Sequence, residues 1–243
     1  MLSVKDLNLS IQGKKIISDF SFEILDGEIV TLMGPNGSGK SSLAESIMGN
    51  PDIKIDSGEI LFNGTNLKDL SVTERAKLGI FLAFQYPIEI PGVDFINFLR
   101  MAYNGRNDTK LNVFRFRELV REKMKLLKMD EKFLERNINE GFSGGEKKKA
   151  EILQMAILNP KLVILDETDS GLDIDALKAV FEGIMSIKED NPKMSILLIT
   201  HYNRVFEYVK PDKVIVINKG IKVKVGGDDI LKEIERDGYK GLK

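Results

Sequence analysis

GPNGSGKSS, Gly34 to Ser42, decides the fold of this 243-residue chain. It fits G-x-x-x-x-G-K-[ST], follows the apolar run Ile29-Val30-Thr31-Leu32-Met33, and leads into the helix-compatible Ser42-Leu43-Ala44-Glu45-Ser46-Ile47-Met48. Strand, glycine loop and helix in that order make a phosphate-binding loop. Across Gly34-Pro35-Asn36-Gly37-Ser38-Gly39, backbone N–H groups converge on phosphate oxygens, glycines let the main chain come close, and the helix N-terminus adds partial positive charge. Lys40 supplies a full charge, the Ser41 hydroxyl is placed to ligate Mg²⁺, and Ser42 completes the binding set. The competing reading is a glycine turn that binds nothing. Against it, such a pattern arises by accident in roughly one chain in a hundred of this length.

The strands on either side of this loop are of two kinds. Residues 2–30 alternate apolar and polar positions, as in Leu2-Val4 and Phe20-Phe22-Ile24, with a turn at Asp26-Gly27, and read as antiparallel strands. A short strand, Glu59-Ile60-Leu61-Phe62, lies between Gly58 and the turn Asn63-Gly64 and joins that β layer. By contrast, Leu162-Val163-Ile164-Leu165, Ser195-Ile196-Leu197-Leu198-Ile199-Thr200 and Val214-Ile215-Val216-Ile217 are continuous apolar runs. Such runs mark strands buried on both faces of a parallel sheet. A helix is expected over Arg115 to Met129, where Phe116, Leu119, Val120, Met124 and Leu127 recur at helical spacing, inside a helical insertion over 94–139. The lysine-rich end, Lys240 to Lys243, reads as a solvated tail.

Two further segments carry chemistry. LVILDE, Leu162 to Glu167, places two carboxylates at the carboxyl end of a buried strand, where open α/β sheets bind ligands. In a phosphate-loop enzyme Asp166 would hold Mg²⁺ through its water shell, and Glu167 would orient the attacking water. Read alone, the pair fits a solvated loop equally well. Phe142-Ser143-Gly144-Gly145-Glu146 opens a helix with apolar positions Ala150, Leu153, Ala156 and Ile157. Its hydroxyl-bearing, glycine-rich N-terminus is a second anion receptor, suited to a nucleotide held elsewhere; read alone, it also fits an ordinary capped helix. Lys147, Lys148 and Lys149 read as a wet helical face.

Composition sets the outer limits. The chain is 42% hydrophobic and 30% charged, enough for one large domain or two small ones, and its net charge of −1 gives no general attraction to nucleic acid or anionic lipid. It contains no cysteine, so neither a disulfide nor a thiolate metal site is expected from it. MLSVKDLNLS shows no basic-then-apolar signal region and no apolar stretch reaches spanning length, so a cytoplasmic location is expected.

These pieces, in this order, resemble the ATP-binding cassette ATPases along essentially the whole chain. The resemblance matches the phosphate loop Gly34 to Ser41, a Q-loop glutamine at Gln85, the signature Ser143-Gly144-Gly145-Glu146, the Walker B run ending at Asp166, the catalytic Glu167, a D-loop at Ser170-Gly171-Leu172-Asp173 and a switch histidine, His201. It implies an α/β cassette fold: a P-loop core with a parallel sheet, a flanking antiparallel β subdomain and a helical subdomain. The whole chain is then one domain, with 1–93 and 140–243 as nucleotide-binding core and 94–139 as helical subdomain. It implies MgATP hydrolysis, with Lys40, Glu167 and His201 as catalytic residues, Ser41, Gln85 and Asp166 at the metal, and the signature and Asp173 at the nucleotide. It further implies an ATP-dependent head-to-tail homodimer.

Within that family, FLAFQYPIEIPGV (Phe81 to Val93), GFSGGEKKK (Gly141 to Lys149), LDETDSGLDIDALK (Leu165 to Lys178) and THYNR (Thr200 to Arg204) are similar to the soluble cassette ATPases of the SUF iron-sulfur cluster assembly system. Transport cassettes usually carry glutamine in place of Glu146 and a proline-containing stretch in place of Thr168-Asp169-Ser170. The membrane-importer subunit is the alternative. The SUF resemblance implies SufB and SufD-like scaffolds as partners, docking on the helical subdomain and on the loop Tyr86-Pro87-Ile88-Glu89-Ile90-Pro91-Gly92-Val93. From its residues, that loop is either a buried connection or a docking face. The aromatic that many cassettes stack on adenine is missing, since Ile11 and Gln12 precede Gly13.

Overall fold

The two kinds of strand sort into two sheets. The computed structural model describes residues 1–107, 110–201 and 203–241. Tyr202 of the THYNR segment, and Leu242 and Lys243 of the expected tail, lie outside the described residues. In chain order the elements are β1 (Leu2–Ile11), β2 (Lys14–Ile24), β3 (Ile29–Met33), α1 (Lys40–Met48), β4 (Ile53–Phe62), β5 (Thr65–Asn66), α2 (Val72–Leu78), β6 (Ile80–Ala83), β7 (Ile90–Asp94) and α3 (Phe95–Arg106). Then follow α4 (Val113–Leu126), β8 (Asn137–Ile138), α5 (Gly144–Leu158), β9 (Leu162–Asp166), α6 (Ile174–Asp190), β10 (Ser195–Ile199), β11 (Lys213–Asn218), β12 (Ile221–Gly226) and α7 (Asp228–Asp237).

The alternating segments build an antiparallel sheet in the order β2-β1-β4-β5. The continuous apolar runs build a second sheet, β12-β11-β3-β10-β9-β6, in which all neighbours but the β11–β12 pair are parallel. Every residue of β3, β9 and β10 is buried. Because side chains alternate along a strand, the faces split cleanly. Val30, Leu32, Leu162, Ile164, Leu197 and Ile199 pack toward α1 and the antiparallel sheet, whereas Ile29, Val163, Leu165, Ile196 and Leu198 pack toward α3, α4, α5 and α6. That double burial is why these strands show no polar alternation.

Three expectations need adjustment. The strand expected at Glu59–Phe62 is the second half of the ten-residue β4. Gly58 does not bound it: a Cβ there would lie 2.5 Å from the carbonyl oxygens of Lys5 and Asp6, at a register shift against β1, so glycine permits a bulge inside the strand. The helix expected over 115–129 runs from Val113 to Leu126, with Asn112 accepting from the Arg115 N–H at 3.0 Å as N-cap. Leu127 and Met129 stay buried, but Lys128 at φ 51° has already left the helix, so the apolar spacing outruns the helical backbone. Finally, the span 94–139 holds α3 and α4 as expected and also shares a small antiparallel pair, β7 with β8, at its two ends.

Candidate functional site

The loop after β3 takes its shape from close packing. A Cβ on Gly34 would stand 2.1 Å from the Ile217 carbonyl oxygen, and one on Gly39, at φ 103°, 2.7 Å from Ile17 Cδ1. The main chain therefore curls tightly into the N-terminus of α1. Lys40, 4% exposed, bends back into this curl: its Nζ donates to Gly34 O at 2.9 Å and Pro35 O at 3.2 Å. Burial lowers the Lys40 pKa, and the neighbouring Glu167 and Asp166 carboxylates oppose that shift. The buried Ser38 hydroxyl has no hydrogen-bond partner among the described residues, an orphan polar group that a phosphate oxygen fits.

Three parallel strands deliver the remaining groups from their carboxyl ends. Beyond β6 comes Gln85, at the end of β9 come Asp166 and Glu167, and beyond β10 comes His201. Ser41 Oγ donates to Asp166 Oδ1 at 3.2 Å. Gln85 Nε2 donates to Glu167 Oε2 at 2.6 Å, while Glu167 Oε1 lies 3.5 Å from His201 Nδ1 and 4.0 Å from Lys40 Nζ. Lys40, Ser41, Gln85, Asp166, Glu167 and His201 thus form one contiguous cluster. Burial pushes the Asp166 carboxyl up to about 6, with the Ser41 hydrogen bond acting against the rise and Glu167 adding to it. Glu167 itself sits in the left-handed region at φ 46°, held by donation of its N–H to Ile199 O at 2.9 Å. A carboxylate on strained backbone between two strand ends is characteristic of functional sites.

The donor set fits Mg²⁺. Among the described residues no group of three His, Asp or Glu side chains forms a protein cage for a metal. Magnesium retains waters and phosphate oxygens and uses only one or two protein oxygens, which Ser41 and Asp166 supply. Gln85 faces Glu167 through its amide nitrogen, leaving its carbonyl oxygen for a metal or water.

The signature residues stand apart from this cluster. Ser143, Gly144, Gly145 and Glu146 line an open cavity of about 420 Å³ whose other walls include Gly171, Leu172 and Asp173, and no phosphate-loop residue contributes to it. Ser143 caps α5: its hydroxyl accepts from the Glu146 N–H at 3.3 Å, and Glu146 Oε2 accepts from the Ser143 N–H at 2.7 Å. Asp173 caps α6 in the same way, accepting from the Ala176 N–H at 2.8 Å.

The lysine run departs from the sequence reading. Lys148 is buried beside Glu151, and Lys147 pairs with Glu89 at 2.7 Å, so the run is not a wet face. The signal was available, since Lys148 lies four and seven positions before the buried Ile152 and Met155, on the apolar side of α5. A second residue passed over is Asp169, which accepts from the buried Thr200 hydroxyl at 2.6 Å. The loop after Gln85 is no buried connection: Tyr86 and Ile88 are each 72% exposed.

This arrangement is that of an ATP-binding cassette. The chain belongs to the ABC transporter ATP-binding family, whose model matches residues 17–170, and it is an ATP-hydrolysing enzyme of that family. Its relatives include the probable ATP-dependent transporter ycf16 of Cyanophora paradoxa, 51% identical over 100% of this chain and 94% of that protein. The probable ATP-dependent transporter SufC of Escherichia coli is 48% identical over 100% of this chain and 98% of its own length. Among solved structures, the ATP binding subunit of an ABC transporter aligns with TM-score 0.80 and 27% identity over 98% of this chain and 95% of that one. A dimeric ATP-binding cassette bound to ADP and Pi aligns with TM-score 0.81 over 93% and 98%, at 20% identity.

Proposed function

We propose that this chain is the ATPase of a SUF-type iron-sulfur cluster assembly machine, a cytoplasmic motor that closes as a head-to-tail dimer around MgATP and reshapes a SufB–SufD-like scaffold. In this reading the whole chain is one cassette, with 94–139 as its helical subdomain. Lys40 leaves the carbonyls of Gly34 and Pro35 for the β- and γ-phosphates, and the Gly34–Ser42 backbone and hydroxyls hold the rest of the triphosphate. Mg²⁺, when bound at Ser41 and Asp166, neutralises charge on the phosphates. Glu167 orients the attacking water, Gln85 holds Glu167 in place, and His201 contacts the γ-phosphate. The signature of the second copy, Ser143 to Glu146 with Asp173 beside it, covers the nucleotide.

One observation carries the hydrolytic part: Lys40, Ser41, Gln85, Asp166, Glu167 and His201 meet within hydrogen-bonding or ion-pair distance, while the signature opens onto a cavity with no phosphate loop of its own. The scaffold assignment is supported by the full-length similarity to SufC and by the exposed apolar side chains of Phe84, Tyr86 and Ile88 next to Gln85. The transporter names of the relatives favour a second reading, the nucleotide-binding subunit of a membrane permease. No described helix is long and apolar enough to cross a membrane. Affinity purification of the tagged chain separates the two. Recovery of a detergent-free complex with SufB- and SufD-like proteins is expected, and recovery only with a polytopic membrane protein would replace this proposal with the second reading.

A further inference from the structure

The residue before Gln85 is gripped at both of its backbone polar atoms by one buried ion pair. β6 ends at Ala83, and the next residue, Phe84, donates its N–H to Glu151 Oε1 at 2.8 Å. The Phe84 carbonyl accepts from Lys148 Nζ, which also lies 3.4 Å from Glu151 Oε2. Lys148 and Glu151 are 2% and 4% exposed on α5, whereas the Phe84 ring is 55% exposed, so this residue is anchored through its peptide and not through its side chain. The next side chain, Gln85, donates to Glu167.

We propose that Lys148 and Glu151 are positioning residues for hydrolysis: they lock the Phe84 peptide so that Gln85 holds Glu167, and they tie that setting to α5, whose first turn is the signature. The inference rests on the reading of Gln85 and Glu167 as hydrolytic residues. A buried ion pair is a poor way to gain stability, because desolvation offsets its attraction and an apolar pair of similar volume often serves as well. It does supply direction. One acceptor and one donor, fixed three residues apart on a helix, match the N–H and C=O of a single residue and so fix the peptide groups on both sides of it. Two further contacts extend the grip past Gln85: Lys147 of α5 with Glu89 at 2.7 Å, and Asn139, just after β8, donating from Nδ2 to Ile88 O at 2.8 Å. α5 thereby holds this segment at two points, Phe84 and Glu89, and the turn after β8 adds a third.

The test is a cycle with Gln85 on the full chain. Lys148→Met/Glu151→Leu replaces the pair by apolar groups and frees the Phe84 peptide. Its kcat for ATP should fall as far as that of Gln85→Ala, on the order of a hundredfold, the penalty of a misplaced catalytic group. KM for ATP should stay within roughly twofold, because the phosphate loop is untouched. Adding Gln85→Ala to the double variant should lower kcat no further. Wild-type kcat in the double variant, or losses that multiply, overturns the clamp alone; a wild-type chain with no ATP turnover overturns the hydrolytic reading and the clamp together. Should the double variant fail to fold, amide exchange on the wild-type chain decides. The Phe84 amide should exchange on the order of a hundredfold more slowly than an unprotected amide, and exchange at the unprotected rate overturns the proposal.

Discussion

Asp166 is the most strained ionisable group in the nucleotide cluster. Burial raises its carboxyl from the ordinary 3.8 to about 6, so between those two pH values the folded chain holds a proton that the unfolded chain has released. A group whose pKa is higher in the folded state contributes stability below its unfolded value and loses that contribution as pH climbs through the folded one. For Asp166 the contribution is complete below about pH 4 and gone above about pH 7, and its span is about 3 kcal/mol. Asp166→Asn has nothing to ionise. In urea denaturation without nucleotide or metal, the unfolding free energy of Asp166→Asn minus that of the wild type should therefore rise by about 2–2.5 kcal/mol from pH 4 to pH 7. A flat difference would show that Asp166 ionises in the folded chain as it does in water. The same tension explains the chemistry: a carboxylate held away from water gains most when a divalent cation arrives to share its charge.

α1 carries the phosphate loop at one end and must be held at the other, for nine residues make a marginal helix alone. Arg75 on α2 does this while 3% exposed, donating from Nη1 to Ser46 O at 2.7 Å and Ile47 O at 3.0 Å, and from Nε to Leu70 O at 2.9 Å. Arg75→Met would leave these carbonyls without their donor, at a cost of about 2–4 kcal/mol by urea denaturation. The cradle lies at the opposite end of α1, so kcat for ATP should remain near the wild-type value; a large loss of kcat in a folded variant would contradict this division of labour. Elements such as α1 and β9 were legible in the sequence because their surroundings are uniform. A strand buried on both faces must be apolar throughout, and a loop that cradles phosphates must be glycine-rich. Less was legible where a residue answers to a distant partner. The polar first half of β4 and its bulge at Gly58 depend on β1, and the two-residue β8 has meaning only against β7. The spacing of Lys148 along α5 marks it as buried, but what it and Glu151 hold is defined only once Phe84 is placed beside them. The cluster around Glu167 was readable as separate motifs, but the bond from Gln85 that joins two of them requires the sheet order β9 beside β6.

A phosphate loop and a signature that open onto different surfaces cannot both serve one nucleotide in a single copy, and this geometry sets the assembly. In the proposed dimer, ATP carries more negative charge than one Lys40 and one helix N-terminus neutralise, and the capped N-terminus of α5 from a second chain would add the missing donors. In the same proposal, cleavage to ADP and phosphate would remove the bridging group and let the halves part. Glu167→Gln should stop this cycle at its closed stage. The amide keeps the side chain's size but loses the charge that activates water, and it removes one negative charge about 4.0 Å from Lys40 Nζ in the ligand-free chain. With MgATP, this variant should elute from a sizing column at about 55 kDa, twice the 27.3 kDa of one chain, and with ADP at the monomer position. The wild type should show the larger species only transiently, because its Glu167 hydrolyses the bridge. If Glu167→Gln binds ATP in a direct titration yet elutes as a monomer, two-copy closure is wrong and the signature cavity serves some other purpose.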